Sequence, residues 1–145
     1  MNNIYDPYHK AITKEVQELI NNFNKCLIID VHSFPAIPLP YEVSQDIRRP
    51  HICLGTDPYH SPEDLIEFFQ SFFKDINLTT EINKPFVGCY VPSKFLHREK
   101  RVKSIMIEIN RKLYMNEATG EKNDSFGEIK SNIRKLVNQI ITKFY

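Results

Sequence analysis

Residues 104–110 read Ser-Ile-Met-Ile-Glu-Ile-Asn, a run that is apolar on both faces until Glu108. A strand of that pattern belongs inside a sheet with helices covering both sides. A second run, Cys-Leu-Ile-Ile-Asp-Val over residues 26–31, leads into His32 and Ser33. Two such runs separated by helical periodicity predict an α/β fold, with a mostly parallel central sheet flanked by helices. Sheets of this kind bind ligands outside the carboxyl ends of their strands. If the two strands run parallel, Asp30, His32 and Glu108 come out along one edge and face one crevice. Asp30 and His32 are two residues apart, so in an extended segment they share a face.

The intervening segments are compatible with that architecture. Ile12, Val16, Leu19, Ile20 and Phe23 recur at helical spacing after Pro7, giving an amphipathic helix that feeds the first strand. A loop over residues 34–50 is kept stiff and irregular by Pro35, Pro38, Pro40 and Pro50. His51 to Thr56 reads as a short strand. Ser61-Pro62-Glu63-Asp64 then has a capping Ser, a Pro at the first helical position and acids in the first turn. Leu65, Phe68, Phe69, Phe72, Phe73 and Ile76 continue it as a helix whose aromatic stripe is core packing. Residues 83–92 give a turn and a short extended piece ended by Pro92, and the basic run 94–103 is a solvated connection. Ser125 and Glu128 have capping-box spacing ahead of a last helix marked by Ile129, Ile133, Leu136, Val137, Ile140 and Phe144.

At 145 residues the chain suits a single domain over 1–145. Nineteen Lys and Arg against eighteen Asp and Glu leave a net charge of +1, so no global field draws nucleic acid or an anionic membrane. The three cysteines are an odd number without Cys-x-x-Cys spacing, which argues for buried thiols in a reducing compartment. With neither a basic-apolar leader nor a segment of membrane-spanning length, the expected location is the cytoplasm.

Glu108 is the sharpest chemical signal. A carboxylate in an otherwise apolar strand suffers desolvation unless it is paired or faces a cleft, and its proton affinity should be perturbed. The bland reading is an ion pair with Arg111 or Arg101. For His32 the bland reading is an imidazole satisfied by Asp30.

Five blocks occur in order: Tyr5-Asp6-Pro7-Tyr8-His9; Asp30-Val31-His32-Ser33-Phe34-Pro35; Arg49-Pro50-His51-Ile52-Cys53-Leu54-Gly55-Thr56-Asp57; Asn83-x-Pro85-Phe86-x-Gly88; and Ser104 through Glu108 and Arg111 to Met115. Together they resemble the N-formylglutamate amidohydrolase family, which is similar to the zinc carboxypeptidases. The resemblance implies a carboxypeptidase-like α/β fold, represented by its C-terminal portion and incomplete relative to the family. It also implies His32 as a zinc ligand and Glu108 as the general base and acid. The substrate would be an N-formyl or N-acyl amino acid, its carboxylate gripped by Arg111 or Arg49, with Ser33, Asn83 and Gly88 on the substrate side.

The family completes its zinc site with a His and an acidic residue from well upstream of the Asp-x-His strand, and this chain begins too late to include them. His60-x-x-Glu63 has a local spacing used by zinc carboxypeptidases, but it reads better as a helix start. His51 stands where the family pattern has an Asp, and His9 reads as a structural bond near its helix start. The chain alone is therefore expected to bind zinc weakly and to hydrolyse N-formyl amino acids poorly. Two other readings stay open: a non-catalytic binder of amino-acid derivatives, and a fragment completed by a partner chain or within a homo-oligomer.

Overall fold

The computed structural model describes residues 3–144. Helix α1, Tyr5–Phe23, buries Val16 and Ile20 and ends at Asn24, whose left-handed backbone lets its N–H close on the Ile20 carbonyl. The chain then enters strand β1, Cys26–Phe34. After the proline-rich loop come β2, Ile52–Gly55, and α2, Glu63–Asp75. Strand β3, Thr80–Ile82, and strand β4, Val102–Asn110, complete a four-stranded sheet in the order β1-β4-β2-β3. A 3-10 turn, Arg111–Leu113, and helix α3, Phe126–Phe144, follow.

The predicted fold class holds. β1 runs parallel to β4 and β2 parallel to β3, while β2 meets β4 antiparallel. Both faces of the sheet are covered, as the apolar character of the strands requires. On one face Ile52, Leu54, Ile105, Ile107 and Ile109 pack against Leu65, Phe69, Phe72 and Phe73 of α2 and Leu136 and Ile140 of α3. On the other, Cys26 and Val102 pack against Val16 and Ile20 of α1, with Val91 and Phe95. No described helix is long and apolar enough to cross a membrane.

Several local expectations are corrected. β1 continues three residues past Val31, so it takes in His32 and Ser33 and the first residue of the expected loop, Phe34. Ser61 does not cap α2: Pro62 precedes the helix, while the buried Ser61 hydroxyl accepts from the Asp57 N–H at 3.0 Å and donates to the Ser104 carbonyl at 2.6 Å. The extended piece expected within 83–92 forms no strand, and the short strand β3 upstream of it is an element the sequence pattern does not announce. The basic connection is anchored, since Phe95 is buried and the His97 N–H donates to His60 Nε2 at 2.9 Å. Ahead of α3, Asn123 shapes the turn by accepting from the Ser125 N–H.

Gly55 ends β2 where backbone passes over it. A Cβ there would lie 2.1 Å from the Gly88 carbonyl oxygen and 2.4 Å from the end of Met106. Met106 could yield, but the backbone of the 83–88 turn would have to move. Gly55→Ala is therefore expected to cost roughly 1–3 kcal/mol, the scale of overpacking in a filled interior. Chemical denaturation reads this as a lower midpoint at unchanged slope.

Candidate functional site

The parallel register sets His32 beside Glu108 and Asp30 beside Met106. Neighbouring strands lie about 4.8 Å apart, and alternation puts Asp30, His32 and Glu108 on the face that also carries α1. Both His32 and Glu108 are two residues from the carboxyl ends of their strands. The two groups expected to share a crevice are thus cross-strand neighbours.

Their chemistry differs. His32 Nε2 sits 2.8 Å from Asp30 Oδ1, with half of the imidazole side chain exposed. Glu108 Oε2 is buried and has no hydrogen-bond partner among the described residues. Burial pushes the Glu108 carboxyl above its ordinary range; the charges of His32 and Arg111 oppose the rise, and those of Asp30 and Glu42 add to it.

The ion-pair alternative for Glu108 is not what forms. Arg101 is turned to Glu99, donating through Nε at 2.9 Å and Nη2 at 2.6 Å. Arg111 donates to Ser33, from Nε to Oγ at 3.2 Å and from Nη2 to the carbonyl at 3.4 Å. These partners are neutral, so Arg111 has no carboxylate partner among the described residues. Such a guanidinium keeps its capacity for an incoming anion.

The remaining candidates hold structure in place. Ser33 alternates to the face of β1 opposite His32, where its hydroxyl orients Arg111. Arg49 is buried, with Nη1 donating to the Pro35 carbonyl at 3.0 Å and Nη2 engaging the Glu42 carboxylate. Its guanidinium also lies 5.6 Å from the Phe34 ring centroid, so it ties the proline-rich loop to the sheet and is not presented to the crevice. Asn83 Oδ1 accepts from the N–H groups of Thr56 at 2.9 Å and Gly88 at 3.2 Å, pinning the turn that Gly88 closes with φ of 89°. Side chains that wall a site by folding a loop are legible in sequence as motif positions, but not as to which way they point.

Metal donors are a separate matter. Both nitrogens of buried His60 are used, Nδ1 with the Val102 carbonyl at 2.7 Å and Nε2 with the His97 N–H, so it is no replacement ligand. His51 Nδ1 accepts from the Thr79 N–H, and His9 Nδ1 bonds the Tyr90 hydroxyl at 2.8 Å. No group of three His, Cys, Asp or Glu side chains among the described residues is placed to hold a metal ion. A catalytic zinc ordinarily takes three protein ligands. His32 supplies one nitrogen, and this chain's donor set by itself does not fit the metal.

Glu42 is the contributor that sequence reasoning missed. Its carboxylate closes on Arg49 from seven positions away in an irregular loop, a spacing with no periodic signal.

A half-buried carboxyl with one enclosed, unpaired oxygen, beside a strand-borne Asp/His pair at the carboxyl edge of a sheet covered on both faces, defines an α/β protein with an acid–imidazole site. The model of the N-formylglutamate amidohydrolase family matches residues 1–115, and the chain belongs to that family. The crystal structure of the N-formylglutamate amidohydrolase from Ralstonia eutropha JMP134 is similar with a TM-score of 0.82 at 27% identity, over 96% of this chain and 52% of that one. A gene product of Agrobacterium tumefaciens shares the fold, with a TM-score of 0.57 at 21% identity over 94% of this chain and 50% of its own. The chain thus spans about half the length of these solved structures. Among curated proteins none matches the sequence.

Proposed function

We propose that this chain carries the proton-transfer and carboxylate-binding part of an amidohydrolase site for N-formyl or N-acyl amino acids such as N-formylglutamate. The observation that carries this reading is the buried, unpartnered Glu108 oxygen in register with His32. A carboxyl whose proton affinity is raised by burial is better suited to accept a proton and return it. Glu108 takes the proton of the attacking water as its oxygen bonds to the acyl carbon. It then returns a proton to the amine nitrogen as the carbon–nitrogen bond breaks, releasing formate and the amino acid. Arg111 holds the substrate carboxylate, and Ser33 fixes the guanidinium from behind.

Zinc belongs to this reading only through ligands beyond those described: bound beside His32 it would polarise the acyl group, but the steps above use this chain's own residues. Turnover by the chain alone should accordingly be slow. Formate release from N-formylglutamate, measured with and without added zinc, tests the reaction. Arg111→Met should raise KM roughly tenfold with little change in kcat, as expected when uniform binding to the carboxylate is lost. Equal KM values for N-formylglutamate and an uncharged N-formyl amide would remove Arg111 from the site.

A further inference from the structure

Strand β4 lies inside the sheet, between β1 and β2, and is buried along its length except at Lys103, Met106 and Glu108. Lys103 is on the α2 side, where its Nζ lies 3.7 Å from Asp64 Oδ2. Met106 and Glu108 share the opposite face with α1. The residues that pack α1 to the sheet meet it at Cys26 and Val102, the first residues of their strands. Past that contact the face opens beside the half-exposed His32, and Glu108 and Met106 floor the opening.

Glu108 has a part in the reaction proposed above; Met106 has none. Its register partners are Asp30 on β1 and Gly55 on β2. Because Gly55 lacks a side chain, the Met106 methyl lies over the space a Cβ would take, and the Gly88 carbonyl closes on the same spot. The crevice floor beside the base is thus a thioether, a flexible and polarisable apolar surface that accommodates varied apolar groups.

The order of groups along β4 decides which part of a substrate reaches that surface. Met106 precedes Glu108 by two residues, roughly 7 Å along an extended strand, and Arg111 follows Glu108 by three. The guanidinium and the thioether therefore lie on opposite sides of the carboxyl. A substrate with its carboxylate on Arg111 and its acyl carbon at Glu108 points its acyl substituent toward Met106. In a formyl group that substituent is a single hydrogen, which leaves the thioether uncovered.

We propose that Met106 floors an apolar subsite for the acyl substituent, so that this chain takes N-acyl amino acids with a short aliphatic acyl chain in preference to N-formyl ones. The chemistry rests on the reaction proposed above, whereas the binding does not. The water oxygen joins the acyl carbon, the carbon–nitrogen bond breaks, and the proton passes through Glu108 to the amine. A short-chain carboxylic acid then leaves with the free amino acid.

Binding and turnover are tested together on the full chain with N-formyl-, N-acetyl- and N-butyrylglutamate, which share one leaving group. The three methionines are Met1, Met106 and Met115, so isotope-labelled methyl groups give a sparse magnetic resonance spectrum in which Met106 is identified by substitution. The expected result is a Met106 methyl signal that moves on titration, with affinity rising roughly fourfold for each carbon buried. Met106→Gln keeps the side-chain length, makes it polar and should flatten that rise. Affinity that stays level or falls from formyl to butyryl in the wild type, or a Met106 methyl that does not move at saturation, would overturn the proposal without recourse to the variant. Affinity that climbs with chain length while no glutamate is released would retire the reaction and leave the subsite standing. Glutamate released from the N-formyl compound alone, with the longer acyl groups bound no better, would do the reverse.

Discussion

Glu108→Gln should lower formate release from N-formylglutamate by roughly a hundredfold or more while leaving the fold intact, the loss expected for removal of a general base. The substitution is nearly isosteric and deletes only the ionisable proton. Its effect on stability has a sign that separates chemistry from structure. Burial raises the Glu108 carboxyl, so the folded chain holds that proton more tightly than the unfolded chain does. The resulting stabilisation is full below the ordinary carboxylate range and is lost as pH rises through the raised folded value. Glutamine imitates the protonated form at every pH. The variant should therefore melt with the wild type in acid and at or above it at neutral pH. A lower melting temperature with near-normal turnover per folded molecule would mean that Glu108 is a structural partner.

How far the sequence could lead here followed from what each residue depends on. β1 and β4 were legible because Ile28 and Ile29, and Ile105 and Met106, make runs apolar on both faces, and such runs have one stable placement. β3 was not, because Thr80-Glu81-Ile82 is half polar and extends only where β2 offers hydrogen bonds. The antiparallel β2–β4 pairing was also hidden, since four buried residues read the same in either direction. In the site, the shared face of Asp30 and His32 followed from strand alternation alone. Ser33 did not point with them for the same reason: adjacent residues in a strand take opposite faces. The partners of Arg49 and His60 lie far along the chain or in irregular loops, and a one-dimensional pattern carries no information on such contacts.

Arg49 shows what that gap costs and how it is closed by experiment. Its motif position suggested a grip on the substrate carboxylate, yet its side chain is 2% exposed and faces Glu42, itself 10% exposed. Removing one member of an enclosed pair leaves the other charge without compensation, a loss of about 3–5 kcal/mol. Arg49→Met is therefore expected to lower the melting temperature by roughly 10 °C for a domain of this size. Burial pushes the Glu42 carboxyl up, but hydrogen bonds from Arg49 and the Leu39 N–H, with the Arg49 and Arg111 charges, outweigh it and hold it below the ordinary range. The pair's contribution is thus present above the carboxylate's unfolded value and is lost as pH falls through the lower folded one. The gap between wild type and Arg49→Met should narrow in acid. Adding Glu42→Gln to Arg49→Met should recover part of the loss, because the orphaned charge is gone. Should Arg49→Met melt within about 2 °C of wild type while KM for N-formylglutamate rises tenfold, the guanidinium binds substrate after all and the proline-rich loop is held by its prolines and Phe34 alone.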